Sequence, residues 1–256
     1  MAVSMAQTID GNTIEAVPLP LFIYDMTVRV GEKDEAGPSW VHFEYHDVDA
    51  QPMLGTPESV LASTREALRG LSGFSGRFLL NECLFADYPV FESPDGLNAG
   101  VQAQISDLEA TVGFFSDPLP SQPVGVGARW EVRWNRVENS TVYQDSGIAL
   151  EQSTTYTIES IEGSIVTLSS LTQQSAQGDV IAPPELGDVQ ARLISLESTG
   201  TGRIQWDLQS AVPISAQTEL TTEQVIAVDR DLGEQIQTHQ IYVRSTLNPT
   251  AKSDAE

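Results

Sequence analysis

The chain has 256 residues, 40% of them apolar, so it can bury a sizeable core as one large domain or two small ones. Its 36 acidic residues face 13 basic ones, and the net charge of −23 repels nucleic-acid phosphates, so we expect no nucleic-acid partner. The single cysteine, Cys83, excludes an intramolecular disulfide and any multi-thiolate metal site.

The first third of the chain mixes strand-like and helix-like patterns. Met1–Glu15 is small and polar and predicts a flexible N-terminal segment. Leu19–Val30 and Trp40–Val48 alternate apolar and polar residues and predict a hairpin. Pro57–Leu71 predicts a helix, with glycines at its end, and Gly76–Phe91 predicts a further strand.

A second helix is predicted over Leu97–Val112. Its apolar residues are four, four, three and four positions apart, which is the spacing of one helical face. Asp95 is the expected N-terminal cap of this helix. The proline-rich segment Asp117–Pro123 then leads into the second half of the chain.

The second half, Val124–Leu247, has the period-two alternation of strands with one buried and one wet face. Trp130, Val132 and Trp134 alternate with polar residues, and so do the residues around Trp206. Tight turns are predicted at Glu162–Gly163 and at Thr199–Gly202.

These elements predict a mainly β, or α+β, fold. We expect a curved, mostly antiparallel sheet with about two helices packed against it. We expect a flexible segment over residues 1–15 and a single β-rich domain over 16–247, which can be divided into halves 16–118 and 119–247. Residues 248–256 are polar and predict a flexible tail.

Four segments carry a resemblance to a known family: Gly70–Gly73, Leu119–Trp130, Tyr156–Gly163 and Gly200–Leu208. With them the chain resembles an uncharacterised family of bacterial, exported β-rich proteins, which are often lipoproteins. It is also loosely similar to lipoprotein carriers, whose curved sheet wraps helices and can shelter an apolar ligand. The resemblance implies an extracytoplasmic protein without known catalytic residues.

A metal site is one interpretation of the histidine-rich strand. On a strand, His42, Glu44 and His46 share one face, with neighbours about 7 Å apart, so their side chains can converge on one metal ion. The alternative is that Val41, Phe43 and Tyr45 form the buried face and the histidines are simply wet.

The tryptophans are the candidate ligand-binding residues. Trp130, Trp134 and Trp206 lie on apolar strand faces, where they fill the core or line an apolar cavity between sheet and helix. No Gly-x-Ser-x-Gly or complete dinucleotide motif occurs, so we expect no catalytic residues, no enzyme activity and no cofactor.

Two main functional hypotheses follow, and a third, a hydrolase or metalloenzyme, is favoured only if His42 and His46 line a cleft with nearby acidic residues. The first is a non-catalytic cell-envelope protein that shelters an apolar or lipid-like ligand, and it predicts a cavity lined by tryptophan. The second is a structural or assembly protein that binds a protein partner, and it predicts an exposed apolar patch or strand edge on an acidic surface.

The sequence also bears on location. No apolar run is long enough for a transmembrane segment, and Met1–Gly11 lacks the features of a signal peptide. We expect an extracytoplasmic location if a leader has been removed, and a cytoplasmic one otherwise.

Overall fold

A computed structural model places most of the chain in strands. It describes residues 1–31, 39–81, 83, 86–92, 119–138, 148–177, 180–181, 191–209, 212–230 and 233–248. Over these residues the fold is mainly β, and its strands form two antiparallel sheets. This confirms the predicted fold class.

The elements are numbered in chain order. The strands of the large sheet are β1 (Ala2–Ile9), β2 (Asn12–Pro18), β7 (Arg129–Glu138), β8 (Ile148–Glu162), β9 (Ile165–Ala176), β10 (Val180–Ile181), β11 (Ala191–Asp207), β12 (Val212–Arg230) and β13 (Gly233–Leu247). The small sheet and its helix contain β3 (Leu21–Val30), β4 (Ser39–Gln51), α1 (Glu58–Leu68), β5 (Ser75–Leu80) and β6 (Ala86–Glu92).

The large sheet has the strand order β2-β1-β13-β12-β11-β9-β8-β7, with β10 beside β11. Its hairpins join sequence neighbours. At the β8–β9 turn, Glu162 lies opposite Ile165, and Gly163 has a φ of +65°, which favours glycine. The predicted turn at Glu162–Gly163 is confirmed.

The small sheet has the order β3-β4-β5-β6. Along β4, Val41, Phe43 and Tyr45 are buried and alternate with exposed residues, because one face of the sheet lies on the core. The register with β3 shifts at His46, which inserts one extra residue. This bulge leaves both His46 and Asp47 exposed before burial resumes at Val48.

The helix α1 and the three-residue 3₁₀ turn Arg69–Leu71 that follows it cover the small sheet. Leu61, Leu68 and Leu71 are buried there, which confirms the helix predicted over Pro57–Leu71. The second predicted helix, Leu97–Val112, lies outside the described residues.

The main core lies where the small sheet and α1 meet one end of the large sheet. The large sheet contributes Ile158, Val166, Leu168, Ile204 and Trp206 to it. A second, smaller cluster lies farther along the long strands and contains Leu150, Ala176, Ala191, Leu193 and Val228. The long strands therefore connect two apolar regions.

The structure corrects the prediction for the N-terminal segment. Residues 1–15, predicted to be flexible, contain β1 and the start of β2. Strand β1 pairs with β13, with Ala2 opposite Arg244. A partner more than 200 residues away leaves no local pattern, so composition alone suggested a loose segment.

The predicted turn at Thr199–Gly202 is also wrong, because β11 runs straight through it. A Cβ built at Gly200 would lie 2.7 Å from the Glu219 carbonyl oxygen, and one at Gly202 would collide with the Ser170 hydroxyl. The two glycines therefore allow close approach of neighbouring strands and do not form a turn.

The strand predicted over Gly76–Phe91 is two paired strands, β5 and β6. The side chain of Asn81 accepts a hydrogen bond from the Cys83 backbone N–H at 2.9 Å. This local contact is typical of an Asx turn and marks the connection between the two strands.

Candidate functional site

The three tryptophans predicted to bind a ligand lie on the same face of the large sheet, but they do not form one cluster. Trp206 is 3% exposed and belongs to the main core. Trp130 is half-buried, and its ring stacks on Tyr156 with centroids 5.5 Å apart. Trp134, also half-buried, lies opposite Gln152. Strands β8 and β9 separate Trp206 from the other two.

Polar side chains occupy this face farther along the strands. Thr154 and Ser198 are each 3% exposed, and they bond to Thr172 at 3.1 Å and to Thr222 at 2.8 Å. The Gln174 amide donates to the Gln152 carbonyl oxygen at 2.8 Å. These buried and half-buried polar groups satisfy one another, which is what a packed interior requires.

A depression of about 570 Å³ lies on strands β7, β8 and β9. Its lining is mostly polar and includes Glu131, Arg133, Asn135, Glu151 and Gln174. Hydrogen bonds from Ser153, at 2.6 Å, and from Arg133 lower the pKa of Glu131. This charged lining does not match an apolar ligand.

The indole N–H of Trp206 is buried and has no hydrogen-bond acceptor among the described residues. We expect Trp206→Phe to change the free energy of unfolding by no more than about 1 kcal/mol, because relief of the unpaired N–H offsets the lost volume. Urea unfolding measures this, with Leu168→Ala, which truncates a fully buried side chain, losing about 2–5 kcal/mol as a control. A loss as large as that of the control would show that relief of the unpaired N–H does not offset the lost volume.

The predicted metal residues lie on the outer face of the small sheet, and all three are exposed. Nδ1 of His46 is 4.0 Å from Oε1 of Glu44, and its Nε2 bonds to Oγ1 of Thr27 at 2.6 Å. His239 is on β13 beside Gln7, and burial lowers its pKa. Among the described residues, no three His, Cys, Asp or Glu side chains are grouped to hold a metal ion. The exposure of His42 and His46 matches the alternative in which the histidines lie on the solvent-exposed face of β4.

The open edge of β3 is a feature that the sequence did not reveal. β3 is the terminal strand of the small sheet. The N–H of Phe22 points away from β4, since it donates to the Met1 carbonyl at 2.9 Å. The N–H of Gly31 points towards β4, since it donates to the Trp40 carbonyl at 2.7 Å. Successive residues of a strand direct their backbone N–H and C=O groups to opposite sides in the plane of the sheet. These groups of Tyr24, Met26, Val28 and Val30 therefore point away from β4, towards the open edge.

These outward-pointing groups have no backbone partner among the described residues. The side chains beside them are partly apolar and accessible: Tyr24 is 37% exposed and Val28 is 44% exposed. Burial of its hydroxyl and the neighbouring Tyr45 raise the pKa of Tyr24 to about 12. The outer face of the same strand carries Asp25 and Arg29. The side of Ile23–Val30 that faces away from β4, named here the β3 edge, is thus partly apolar and has no partner strand among the described residues.

The fold and this edge define the class of the protein as an acidic, antiparallel β protein with an open strand edge. Neither a protein-family model nor a curated protein matches the chain. Within the described part of the chain, no helix is long and apolar enough to cross a membrane.

Proposed function

We propose that the protein is a non-catalytic assembly protein that binds a partner strand along the β3 edge. The observation that carries this proposal is the row of outward backbone N–H and C=O groups from Tyr24 to Val30, which have no partner in the described residues. Such a row is a template for adding a strand from another chain.

The β3 edge lacks most of the features that keep edges unpaired. Natural edges are blocked by proline, by charged side chains, lysine above all, or by a bulge on the edge strand, and the two charged residues of this edge, Asp25 and Arg29, lie on the outer face of the sheet. Between Ile23 and Val30 there is no proline or lysine. The bulge between β3 and β4 adds His46 to β4 and leaves β3 regular. The edge is therefore straight enough to pair over its length.

The geometry favours assembly over the sheltering of an apolar ligand. Trp206 and Trp130 pack against the main core, and the polar residues farther along are hydrogen-bonded to one another. An exposed strand edge on an acidic surface is what the assembly hypothesis predicts. The cell-envelope location and the resemblance to exported β-rich proteins stay predictions.

Substitutions at Val28 test the proposal. Val28→Pro removes an outward N–H without touching a bond to β4, and Val28→Lys keeps the backbone but places a charge on the edge. We expect both variants to fold and to lose assembly by at least about tenfold, a change of about 1.4 kcal/mol. Val28→Thr keeps both shape and N–H and is the matched control.

The measurement is native mass spectrometry of tagged variants purified from the host, with circular dichroism to verify folding. The wild type and Val28→Thr should carry the same stoichiometric partner, which both other variants lose. The proposal is contradicted if folded Val28→Pro and Val28→Lys retain the wild-type assembly.

A further inference from the structure

The β3 edge is complementary to itself. If two copies of β3 pair in antiparallel orientation about a two-fold axis through Thr27, Met26 lies opposite Val28 of the second copy and Tyr24 lies opposite Val30. These are the residues whose N–H and C=O groups point outward. The two-fold axis repeats both pairs, which makes four pairs. Each pair exchanges two hydrogen bonds, so this pairing forms about eight hydrogen bonds.

The side chains on both faces match in the same register. On the core side, the exposed apolar residues Tyr24 and Val28 meet Val30 and Met26 of the second copy and are covered. On the outer side, Asp25 of each copy lies opposite Arg29 of the other. These are non-hydrogen-bonded positions, where cross-strand side chains approach most closely.

Charge selects this register over its neighbours. An axis through Asp25 would place that carboxylate against its own copy, and an axis through Arg29 would do the same for two guanidinium groups. An axis through Met26 or Val28 would place Asp25 opposite no arginine. The Thr27 axis forms two opposite-charge pairs and no like-charge pair within the edge.

We infer that the partner strand is β3 of a second copy of this chain, paired about a two-fold axis at Thr27 with reciprocal Asp25–Arg29 contacts. The inference rests on the proposed function, since it names the occupant of the β3 edge. A two-fold contact of this kind closes after two copies and leaves no further β3 edge open. Each copy carries a net charge of −23, so the copies repel at long range. About 0.1 M salt limits that repulsion to about 10 Å, and association is measured at or above this ionic strength.

Reversal of the two charges provides the test, by sedimentation velocity over a series of protein concentrations. In Asp25→Arg, both cross-strand contacts become positive pairs, and in Arg29→Asp both become negative pairs. We expect each variant to self-associate at least about tenfold more weakly than the wild type. The double variant, Asp25→Arg with Arg29→Asp, restores opposite charges and should dimerise like the wild type.

Mixing the two single variants is the sharpest arm of this test. In the mixture, each contact joins a basic and an acidic residue, so we expect a one-to-one heterodimer from two proteins that are monomeric alone. Wild-type protein that stays monomeric to about 100 μM, or single variants that dimerise like the wild type, would overturn the inference. If the wild type does not self-associate but binds a host partner that the Val28→Pro variant does not bind, the inference fails and the proposed function stands.

Discussion

Replacement of Phe74 with alanine is expected to lower the free energy of unfolding by about 3–5 kcal/mol. Phe74 is fully buried, and its ring centroid lies 5.7 Å from that of Phe43 and 5.7 Å from that of Phe91. The ring of Tyr45 stacks on that of Phe74 with centroids 5.9 Å apart. The backbone C=O of Tyr45 accepts a hydrogen bond from the Gly73 N–H, and its N–H donates one to the Phe74 carbonyl. Truncation therefore leaves a cavity at the point where β4 joins α1 and β5.

Urea unfolding of Phe74→Ala measures this loss. Leu171→Ala is the matched control, because Leu171 is 44% exposed on β9 and its truncation should cost no more than about 0.5 kcal/mol. The importance of the aromatic cluster would be refuted by a Phe74→Ala variant as stable as Leu171→Ala.

The second large effect is expected at Gly76, where Gly76→Ala should cost about 1–3 kcal/mol. An added Cβ would lie 2.7 Å from Cζ of Phe43 and 2.8 Å from the Val90 carbonyl oxygen. The first contact is with a ring held by its aromatic neighbours, and the second is with backbone, so neither yields readily. Glycine at this position lets the Phe43 ring lie across β5.

Thermal unfolding of Gly76→Ala, compared with Gly125→Ala, tests this. A Cβ at Gly125 meets nothing within 4 Å, so that substitution should be neutral or should stabilise by up to about 1 kcal/mol. Equal unfolding temperatures for the two variants would show that the strands around Gly76 adapt to the methyl group.

The fold class could be predicted because the alternation of apolar and polar residues along a strand indicates which of its side chains are buried. The alternation of Val41, Phe43 and Tyr45 is periodic, and it matches the buried face of β4. The Glu162–Gly163 turn was predictable because a glycine stands between two alternating segments. Helix α1 was predictable because proline at its start and glycines at its end are local signals of helix bounds.

The errors concern contacts between distant parts of the chain. Strand β1 forms against β13, and nothing within Ala2–Ile9 specifies that partner. Gly200 and Gly202 have the composition of a turn, and only the proximity of Ser170 and Glu219 explains them as close-packing residues. Register and strand approach are tertiary properties, which propensity does not encode.

The candidate site was missed for a related reason. Leu19–Val30 was predicted as a strand, and β3 is one. Its position at the end of the small sheet depends on which strands join that sheet, and this is not a property of its own residues. The alternation of Asp25 and Arg29 with apolar residues is a sequence signal, but its meaning depends on an open edge beside it.

Amide hydrogen exchange along β3 is the most direct test of the central claim that this edge pairs with another strand. The N–H groups of Tyr24, Met26 and Val28 should exchange slowly in the assembly isolated from the host or in concentrated protein, and quickly on dilution or in Val28→Lys. Thr27 and Arg29, whose N–H groups point towards β4, should be protected throughout and serve as the internal reference. Fast exchange of the three outward amides in both the isolated assembly and the concentrated protein would contradict the account.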